Sequence, residues 1–148
     1  MGARVTVRST QKAAVLRYHE LGMNKRDITA VLAEMSDDIR WFSVDQDFVR
    51  RWYTGNQVAA FLAAMFTNTR TLTFSVDQLL ADPSVPDVVV AEWHNEAVMT
   101  DGSTYENQGC TLFAFQADTA KIREVRQYFD WGPLMARVDW RSSVRDII

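Results

Sequence analysis

Residues 88–131 read VVVAEWHNEAVMTDGSTYENQGCTLFAFQADTAKIREVRQYFDW, and this stretch decides the fold. Two long runs within it, Val88–Met99 and Tyr105–Gln116, have the alternation and the β-branched and aromatic content of strands. Between these runs, residues 100–103 (TDGS) contain the Asp-Gly pair that favours a tight hairpin turn. A second turn leads into a further strand-like run, Lys121–Trp131. The stretch therefore predicts three consecutive antiparallel strands.

The first half of the chain has mostly helical periodicity. Apolar residues at spacings of three and four predict a helix over Lys12–Leu21, a second helix that starts from Asn24 as its N-cap, and a third over Gln57–Thr67. Two shorter strands are expected at Ile39–Val44 and at residues 71–76. Helices gathered in the first half and long strands in the second indicate an α+β fold rather than a parallel βαβ sheet.

We therefore expect a curved antiparallel sheet with N-terminal helices packed on its concave face. Two such layers enclose a pocket between them. The chain has 148 residues, a length that suits one domain. We expect residues 1–148 to form that domain, with residues 1–10 as an N-terminal extension and residues 134–148 as a partly helical tail.

The composition argues against several classes of function. The formal net charge is −3 and no Lys/Arg stripe is present, which disfavours nucleic acid as a partner. No run of about 18 apolar residues could form a membrane span, and residues 1–10 lack the apolar core of a signal peptide. A single cysteine, Cys110, allows no internal disulfide and suits a reducing compartment. We expect a cytoplasmic protein that binds neither nucleic acid nor membrane.

Several segments together resemble the SnoaL-like polyketide cyclases. The matching segments are Gly102-x-x-Tyr105-x-Asn107 after the hairpin, residues 121–130 (KIREVRQYFD) in the closing strand, and residues 53–62 (YTGNQVAAFL) at the start of the third helix. The resemblance extends from Val15 to Leu134. It implies the nuclear-transport-factor-2-like, or cystatin-like, cone fold, which limonene epoxide hydrolase and ketosteroid isomerase share. Since one fold can host many reactions, the resemblance specifies the fold more than the activity.

The resemblance also implies an acid/base enzyme. In the polyketide cyclases of this family, one Asp on the closing strand moves a proton during an intramolecular aldol closure, and Asp130 occupies that position. Asn95 is the expected second catalytic residue, because an amide can donate a hydrogen bond to a developing oxyanion. The implied substrate is a small hydrophobic, polyketide-like carbonyl compound that is cyclised or isomerised. The residues expected to bind it are Trp41, Trp93, Tyr105, Asn107, Tyr128, Phe61, Met65 and Tyr18.

Alternation along the closing strand predicts which of its residues face the pocket. It groups Asp130 with Arg126 and Tyr128 on one face, and Val125 with Phe129 on the other. The open sheet must cover the apolar residues on its outer side. We therefore expect the face that bears Val125 and Phe129 to pack against a second copy of the chain, which gives a homodimer.

Two other functions remain open on the same scaffold. Limonene-type epoxide hydrolases use an Arg-x-Asp pair and a Tyr-x-Asn pair. Here Trp93 and Asn95 occupy the first pair of positions, Trp41 and Ser43 occupy the second, and only the closing Asp130 matches. An epoxide hydrolase or a dehydratase would hold a water molecule on Asp130 and Asn95. The remaining hypothesis is a pocket that binds a small hydrophobic ligand without turning it over.

We expect neither a metal nor another cofactor. Glu92, His94 and Glu96 share one strand face and could in principle hold a metal ion. That spacing alone is weak support for a metal site. A solvated outer face, or a face that contacts a second subunit, explains the same residues.

Overall fold

The computed structural model describes residues 2–44 and 50–147, and these form five helices and six strands. The helices are α1 (Gly2–Arg17), which continues as a π-helical segment (Tyr18–Met23), α2 (Ile28–Ala33), α3 (Asn56–Thr67), α4 (Trp131–Met135) and α5 (Trp140–Val144). The strands are β1 (Met35–Val44), β2 (Arg50–Thr54), β3 (Thr69–Leu80), β4 (Val88–Met99), β5 (Thr104–Phe115) and β6 (Ile122–Phe129). In this described part of the chain, no helix is long and apolar enough to cross a membrane.

The strands form one curved sheet in the order β2-β1-β6-β5-β4-β3. Each neighbouring pair is antiparallel except β1 and β6, which run parallel. The predicted α+β fold with a predominantly antiparallel sheet is confirmed, with this parallel pair as a detail that strand periodicity does not reveal. Strand β2 was not predicted, because its five residues, RRWYT, are too few to show a period.

The β4–β5 hairpin forms where the sequence predicts it. Gly102 has φ +87°, a left-handed conformation that glycine adopts without strain. The Met99 amide donates to the Ser103 carbonyl at 2.8 Å and closes the turn. The turn fixes the register of the two strands, so that Asn95 lies opposite Asn107 and Ala97 lies opposite Tyr105.

The N-terminal helices depart from the prediction in two ways. Helix α1 starts at Gly2, so residues 2–10, which were expected to be an extension, belong to the helix. Helix α2 is capped by Asp27, whose carboxylate accepts from the Ala30 amide at 3.0 Å, and not by Asn24. The Asn24 side chain instead accepts from the Phe74 amide (2.6 Å) and donates to the Phe74 carbonyl (2.9 Å), which ties this loop to β3.

The core lies between the helices and the inner face of the sheet. Burial alternates along β4, where Val89, Ala91, Trp93 and Asn95 are all buried. The facing residues of β5 from Tyr105 to Phe113 follow the same alternation. The predicted inner faces of these two long strands are therefore confirmed.

The predicted faces of β6 are wrong from Glu124 onward. Phe115 pairs with Ile122 and Ala114 pairs with Glu124, so Arg123 is an extra residue in the ladder. A bulge of one residue moves every later side chain to the opposite face. Val125 is fully buried in the core and Phe129 lines the interior, whereas Tyr128 lies on the outer face. Val125 and Phe129 are therefore not available to a second subunit.

Candidate functional site

A mostly apolar cavity lies between the inner face of the sheet, α3 and the C-terminal helices. Its free volume is about 60 Å³. An engineered cavity that holds benzene is larger, at about 150 Å³. A ring-sized ligand would therefore have to displace part of the wall. The lining residues are Ser43, Phe61, Met65, Asn68, Thr69, Leu72, Phe74, Trp93, Asn95, Met99, Tyr105, Gln127, Phe129, Trp131, Leu134 and Trp140.

The predicted aromatic wall of the cavity is present in part. Trp93, Phe61 and Met65 line the cavity, as the sequence suggested. The Trp93 indole lies close above Gly109, where a Cβ atom would come within 2.8 Å of the ring. Its Nε1 donates to the Thr111 hydroxyl at 2.9 Å, so that the indole is held flat against β5.

Tyr105 places a hydroxyl in this apolar setting. Its oxygen accepts a hydrogen bond from the Asn107 amide nitrogen at 2.5 Å. The same amide nitrogen donates to the Asp130 carbonyl at 2.7 Å, and the Asn107 oxygen accepts from the Gln108 amide at 2.8 Å. Asn107 thus uses its side chain to orient Tyr105 and to tie β5 to the end of β6. No residue of the described chain accepts the Tyr105 hydroxyl proton.

Burial raises the pKa of Tyr105 to about 12, against a smaller opposing effect of the hydrogen bond from Asn107. The nearby charge of Asp130 adds to this increase in the Tyr105 pKa. The hydroxyl therefore keeps its proton at neutral pH. Tyr105 is therefore an uncharged group in the cavity wall whose hydroxyl proton is available for a hydrogen bond.

Asn95 is on the neighbouring strand, β4. It lines the cavity, is 6% exposed, and is directly opposite Asn107 in the ladder. Its Oδ1 atom is buried and has no hydrogen-bond donor among the residues that the structure describes. An unpaired buried acceptor costs about 1–3 kcal/mol. Asn95 is therefore an unsatisfied acceptor in the wall of the cavity.

Asp130 does not line the cavity. It follows β6 directly and is exposed, and its carboxylate accepts from the Gly132 amide at 2.9 Å as the N-cap of α4. The bulge explains this placement, because residues at even positions after Arg123 point away from the cavity. Asp130 lies in a second, polar depression whose other lining residues are His94, Asn95, Glu96, Glu106, Asn107, Gln108 and Pro133.

Three further predicted binding residues lie elsewhere. Trp41 is fully buried in the core, packed between the rings of Tyr18 and Phe61. Tyr18 is also a core residue, 3% exposed, and neither of the two lines the cavity. Tyr128 is 45% exposed on the outer face of the sheet, beside Phe42. For Tyr128 the reason is again the bulge in β6, which turns its side chain outward.

The C-terminal segment, residues 131–147, supplies a wall that the sequence prediction missed. Trp131, Leu134 and Trp140 all line the cavity, and Trp140 packs edge-on against Phe61 with ring centres 5.5 Å apart. A signal for this wall exists in the sequence, since both short helices start with an Asp-Trp pair. Asp130 caps α4, and Asp139 caps α5 by accepting from the Ser142 amide at 3.2 Å.

The lining contains no Asp, Glu, His, Lys or Arg among the described residues. The outer face of β4, in contrast, is charged. His94 pairs there with Asp77 at 2.8 Å, and the Gln78 amide donates to Glu92 at 2.5 Å. In the described part of the chain, no group of three or more His, Cys, Asp or Glu residues could hold a metal ion.

Comparison with known proteins agrees with this architecture. No curated protein sequence matches the chain. An NTF2-like protein of unknown function from Burkholderia pseudomallei is similar, with 16% identity, a TM-score of 0.75, and coverage of 88% of this chain and 98% of that one. A proposed SnoaL-like polyketide cyclase from Jannaschia sp. CCS1 has 18% identity and a TM-score of 0.73, with 88% and 92% covered.

TerC, solved with polyporic acid, has 17% identity and a TM-score of 0.70, with 86% of this chain and 97% of that one covered. At these identities, the likeness to solved structures shows the cone fold alone. The family model of the SnoaL-like domain matches residues 15–125, which contain α2, α3 and strands β1 to β5. The chain therefore belongs to the family of SnoaL-like domains.

Proposed function

We propose that the cavity binds a small, uncharged, mostly apolar molecule through its carbonyl oxygen, which the Tyr105 hydroxyl polarises. The observation that carries this proposal is the chemistry of the lining. It is mostly aromatic and aliphatic, its polar groups are amides and hydroxyls without formal charge among the described residues, and it holds a protonated tyrosine that a neighbouring amide orients. Such a site favours neutral ligands, because an ion would lose its hydration without gaining a counter-charge.

A polarised carbonyl is a starting point for chemistry as well as for binding. A hydrogen bond to the oxygen stabilises the enolate that forms when a neighbouring C–H loses its proton. Ring closure and double-bond isomerisation both pass through such a species. Tyr105 could supply this stabilisation without a cofactor, whereas the proton acceptor must come from outside the cavity lining.

Catalysis of cyclisation or isomerisation, with Asp130 as the acid/base group, is the second candidate function. One observation favours it. The charge of Asp130 acts on Tyr105, and the Asn107 amide donates both to the Tyr105 hydroxyl and to the main-chain carbonyl of Asp130, so the main chain at Asp130 is tied to the residue that orients Tyr105. An Asp130→Asn protein that folds should then bind the ligand and lose turnover. Full turnover in that variant would reject the acid/base role and leave binding alone.

A hydrolase or dehydratase mechanism has less support. Such an enzyme holds and activates a water molecule with a base that faces the substrate. The described lining of this cavity provides amides, hydroxyls and aromatic rings, but no carboxylate.

The binding proposal can be tested with a neutral aryl ketone. We would titrate propiophenone labelled with ¹³C at the carbonyl carbon and follow its chemical shift and line width by NMR. The bound carbonyl carbon should shift downfield, as it does when a ketone accepts a hydrogen bond. Tyr105→Phe should weaken binding roughly fivefold, since one hydrogen bond to a buried group is worth about 1 kcal/mol.

Tyr128→Phe is the matched control, because it removes the same hydroxyl from the outer face of the sheet. It should leave the affinity unchanged. Benzoate, an anion of similar size, should not compete. Absence of propiophenone binding, or equal losses in the two Tyr→Phe variants, would overturn the proposal.

A further inference from the structure

Two buried side-chain polar atoms in the described chain have no hydrogen-bond partner, and one of them belongs to a residue that lines the cavity. These atoms are Asn95 Oδ1 and Trp41 Nε1. Trp41 belongs to the core and does not line the cavity, so its indole nitrogen offers nothing to a ligand. Asn95 lines both the cavity and the polar depression, and its oxygen is an acceptor that is buried and unpaired in the wall.

The position of this acceptor relative to Tyr105 follows from the strand register. Asn95 lies directly opposite Asn107, and side chains opposite each other in an antiparallel pair have Cβ atoms about 5 Å apart. The Tyr105 hydroxyl is held against the Asn107 amide at 2.5 Å. The unpaired acceptor and the available donor therefore project from neighbouring positions on the same wall.

We infer that the ligand of this cavity carries a hydrogen-bond donor beside its carbonyl group, as in a hydroxy ketone. Its carbonyl oxygen accepts from the Tyr105 hydroxyl, and its adjacent O–H donates to Asn95 Oδ1. This inference rests on the proposed function and narrows the ligand class from neutral carbonyl compounds to those with a neighbouring hydroxyl. The Tyr105 hydroxyl and Asn95 Oδ1 are then both satisfied, whereas a plain ketone satisfies only Tyr105.

The inference separates two probes of nearly the same shape. Propiophenone ends in a CH₂–CH₃ group, and 2-hydroxyacetophenone replaces the terminal methyl with a hydroxyl. The hydroxy ketone should bind roughly tenfold more tightly, because its hydroxyl pairs an acceptor that is otherwise unsatisfied. Dissociation constants for both probes would be measured by ligand-observed NMR, on wild-type protein and on Asn95→Leu.

Asn95→Leu keeps the approximate volume of the side chain and removes the acceptor. The variant should bind the two probes with equal affinity, and the quantity compared with wild type is the ratio of the two dissociation constants. Gln108→Leu is the control, since it makes a similar change at an exposed neighbouring position and should keep the tenfold preference. A loss of preference confined to Asn95→Leu cannot come from a general loss of fold, because propiophenone reports on the intact site.

Two results would overturn the inference. One is equal affinity of the wild-type protein for the two probes, and the other is a preference that survives in Asn95→Leu. If Asn95→Leu fails to fold, the affinity of the wild-type protein for 2-methoxyacetophenone tests the inference instead, because the ether oxygen of this probe carries no proton to donate. This probe should lack the tenfold higher affinity of the hydroxy ketone. If it binds as tightly as the hydroxy ketone, the inference is rejected. Failure of the proposed function is distinct, because propiophenone itself would then not bind.

Discussion

At the scale of single residues, His19 shows how burial fixes a protonation state. The side chain is 2% exposed and is surrounded by the rings of Tyr18, Phe74 and Phe113. Burial lowers the pKa of His19 to about 4, although the hydrogen bond from Nδ1 to the Val15 carbonyl (2.9 Å) opposes that shift. The imidazole is therefore neutral in the folded protein at neutral pH and packs as an aromatic ring.

This burial predicts a loss of stability in mild acid. The unfolded chain binds a proton on His19 near pH 6.5, whereas the folded chain does so only near pH 4. Stability should therefore fall as the pH drops from about 6.5 to about 4, by about 3 kcal/mol in total. Urea unfolding at a series of pH values would measure the free energy of unfolding across this window.

The control variant is His19→Phe, which keeps an aromatic ring and removes the titration. Its free energy of unfolding should be nearly flat across the same window. His94 acts in the opposite sense, because its exposed pair with Asp77 raises the pKa of His94. The contribution of the His94–Asp77 pair to the free energy of unfolding is present below pH 6.5 and is lost as the pH rises above that value. A wild-type profile as flat as that of His19→Phe would contradict the prediction.

At the scale of elements, the two short C-terminal helices depend on their caps. Asp130 accepts from the Gly132 amide and thereby starts α4, which carries Trp131 and Leu134 into the cavity wall. Asp130→Ala should lower the free energy of unfolding by about 1 kcal/mol, whereas Asp130→Asn should retain most of it, since Asn is an equally good N-cap. Chemical denaturation of the two variants would test this, and equal stabilities would show that the cap is unimportant.

Another element-scale prediction concerns the size of the ligand. Trp140 is 4% exposed and closes the cavity between Phe61 and Trp131. Replacing its indole with a shorter side chain in Trp140→Leu should enlarge the cavity. The affinity for 2-propionylnaphthalene relative to propiophenone should then rise by about tenfold, since a hydrophobic pocket discriminates by size to this degree.

Trp52→Leu provides the comparison for this measurement, because Trp52 is an exposed tryptophan on the outer face. It should leave the ratio of the two affinities unchanged. If Trp140→Leu also leaves the ratio unchanged, the C-terminal segment does not limit the size of the ligand.

The same elements show how far the sequence predicts the structure. Strand β4 was predicted with its correct bounds and inner face, because its alternation runs uninterrupted from Val88 to Met99. In β6, Ile122 and Val125 are both buried, and their odd spacing is the trace of the bulge at Arg123. Simple alternation cannot show which residue is extra, since the bulge is defined by the partner strand.

The candidate site was predictable in the part that depends on uninterrupted strands. Trp93, Asn95 and Tyr105 line the cavity as expected, since they alternate inward on the β4–β5 hairpin. The positions of Asp130 and Tyr128 depend on the bulge in β6 and were therefore misjudged. The walls from Trp131 and Trp140 come from helices of five residues, which are too short to show a helical period.

At the scale of the whole molecule, the outer face of the sheet carries charge of opposite sign on its two halves. Trp52 and Tyr128 are exposed on the β1–β2–β6 half, where Arg40 and Arg126 lie near the Trp52 ring at 4.4 and 6.0 Å. These two guanidinium groups share the single carboxylate of Glu124, so the cluster keeps a net positive charge. The β4–β5 half bears exposed glutamates, including Glu96 and Glu106 directly opposite each other. Like charges in such a pair repel, so this half would gain from a cationic neighbour.

We propose that two copies associate through this outer face, related by a two-fold axis that places the basic, aromatic half of each on the acidic half of the other. An isologous contact needs a surface complementary to itself, and this distribution of charge provides one. The buried rings would come from Trp52 and Tyr128, and not from Val125 and Phe129, which the bulge in β6 turns inward.

Sedimentation velocity would measure the predicted assembly. The wild type should sediment as a dimer at micromolar concentration, and Trp52→Glu should be monomeric, since it places a carboxylate at the centre of the contact. Raising the salt concentration to 1 M should weaken the dimer, because screening shortens the range of the charge pairs to about 3 Å. Leu80→Glu, a similar change at an exposed residue near the end of β3, should remain dimeric. A monomeric wild type would reject the proposal, whereas a dimer that survives Trp52→Glu would place the interface on another surface.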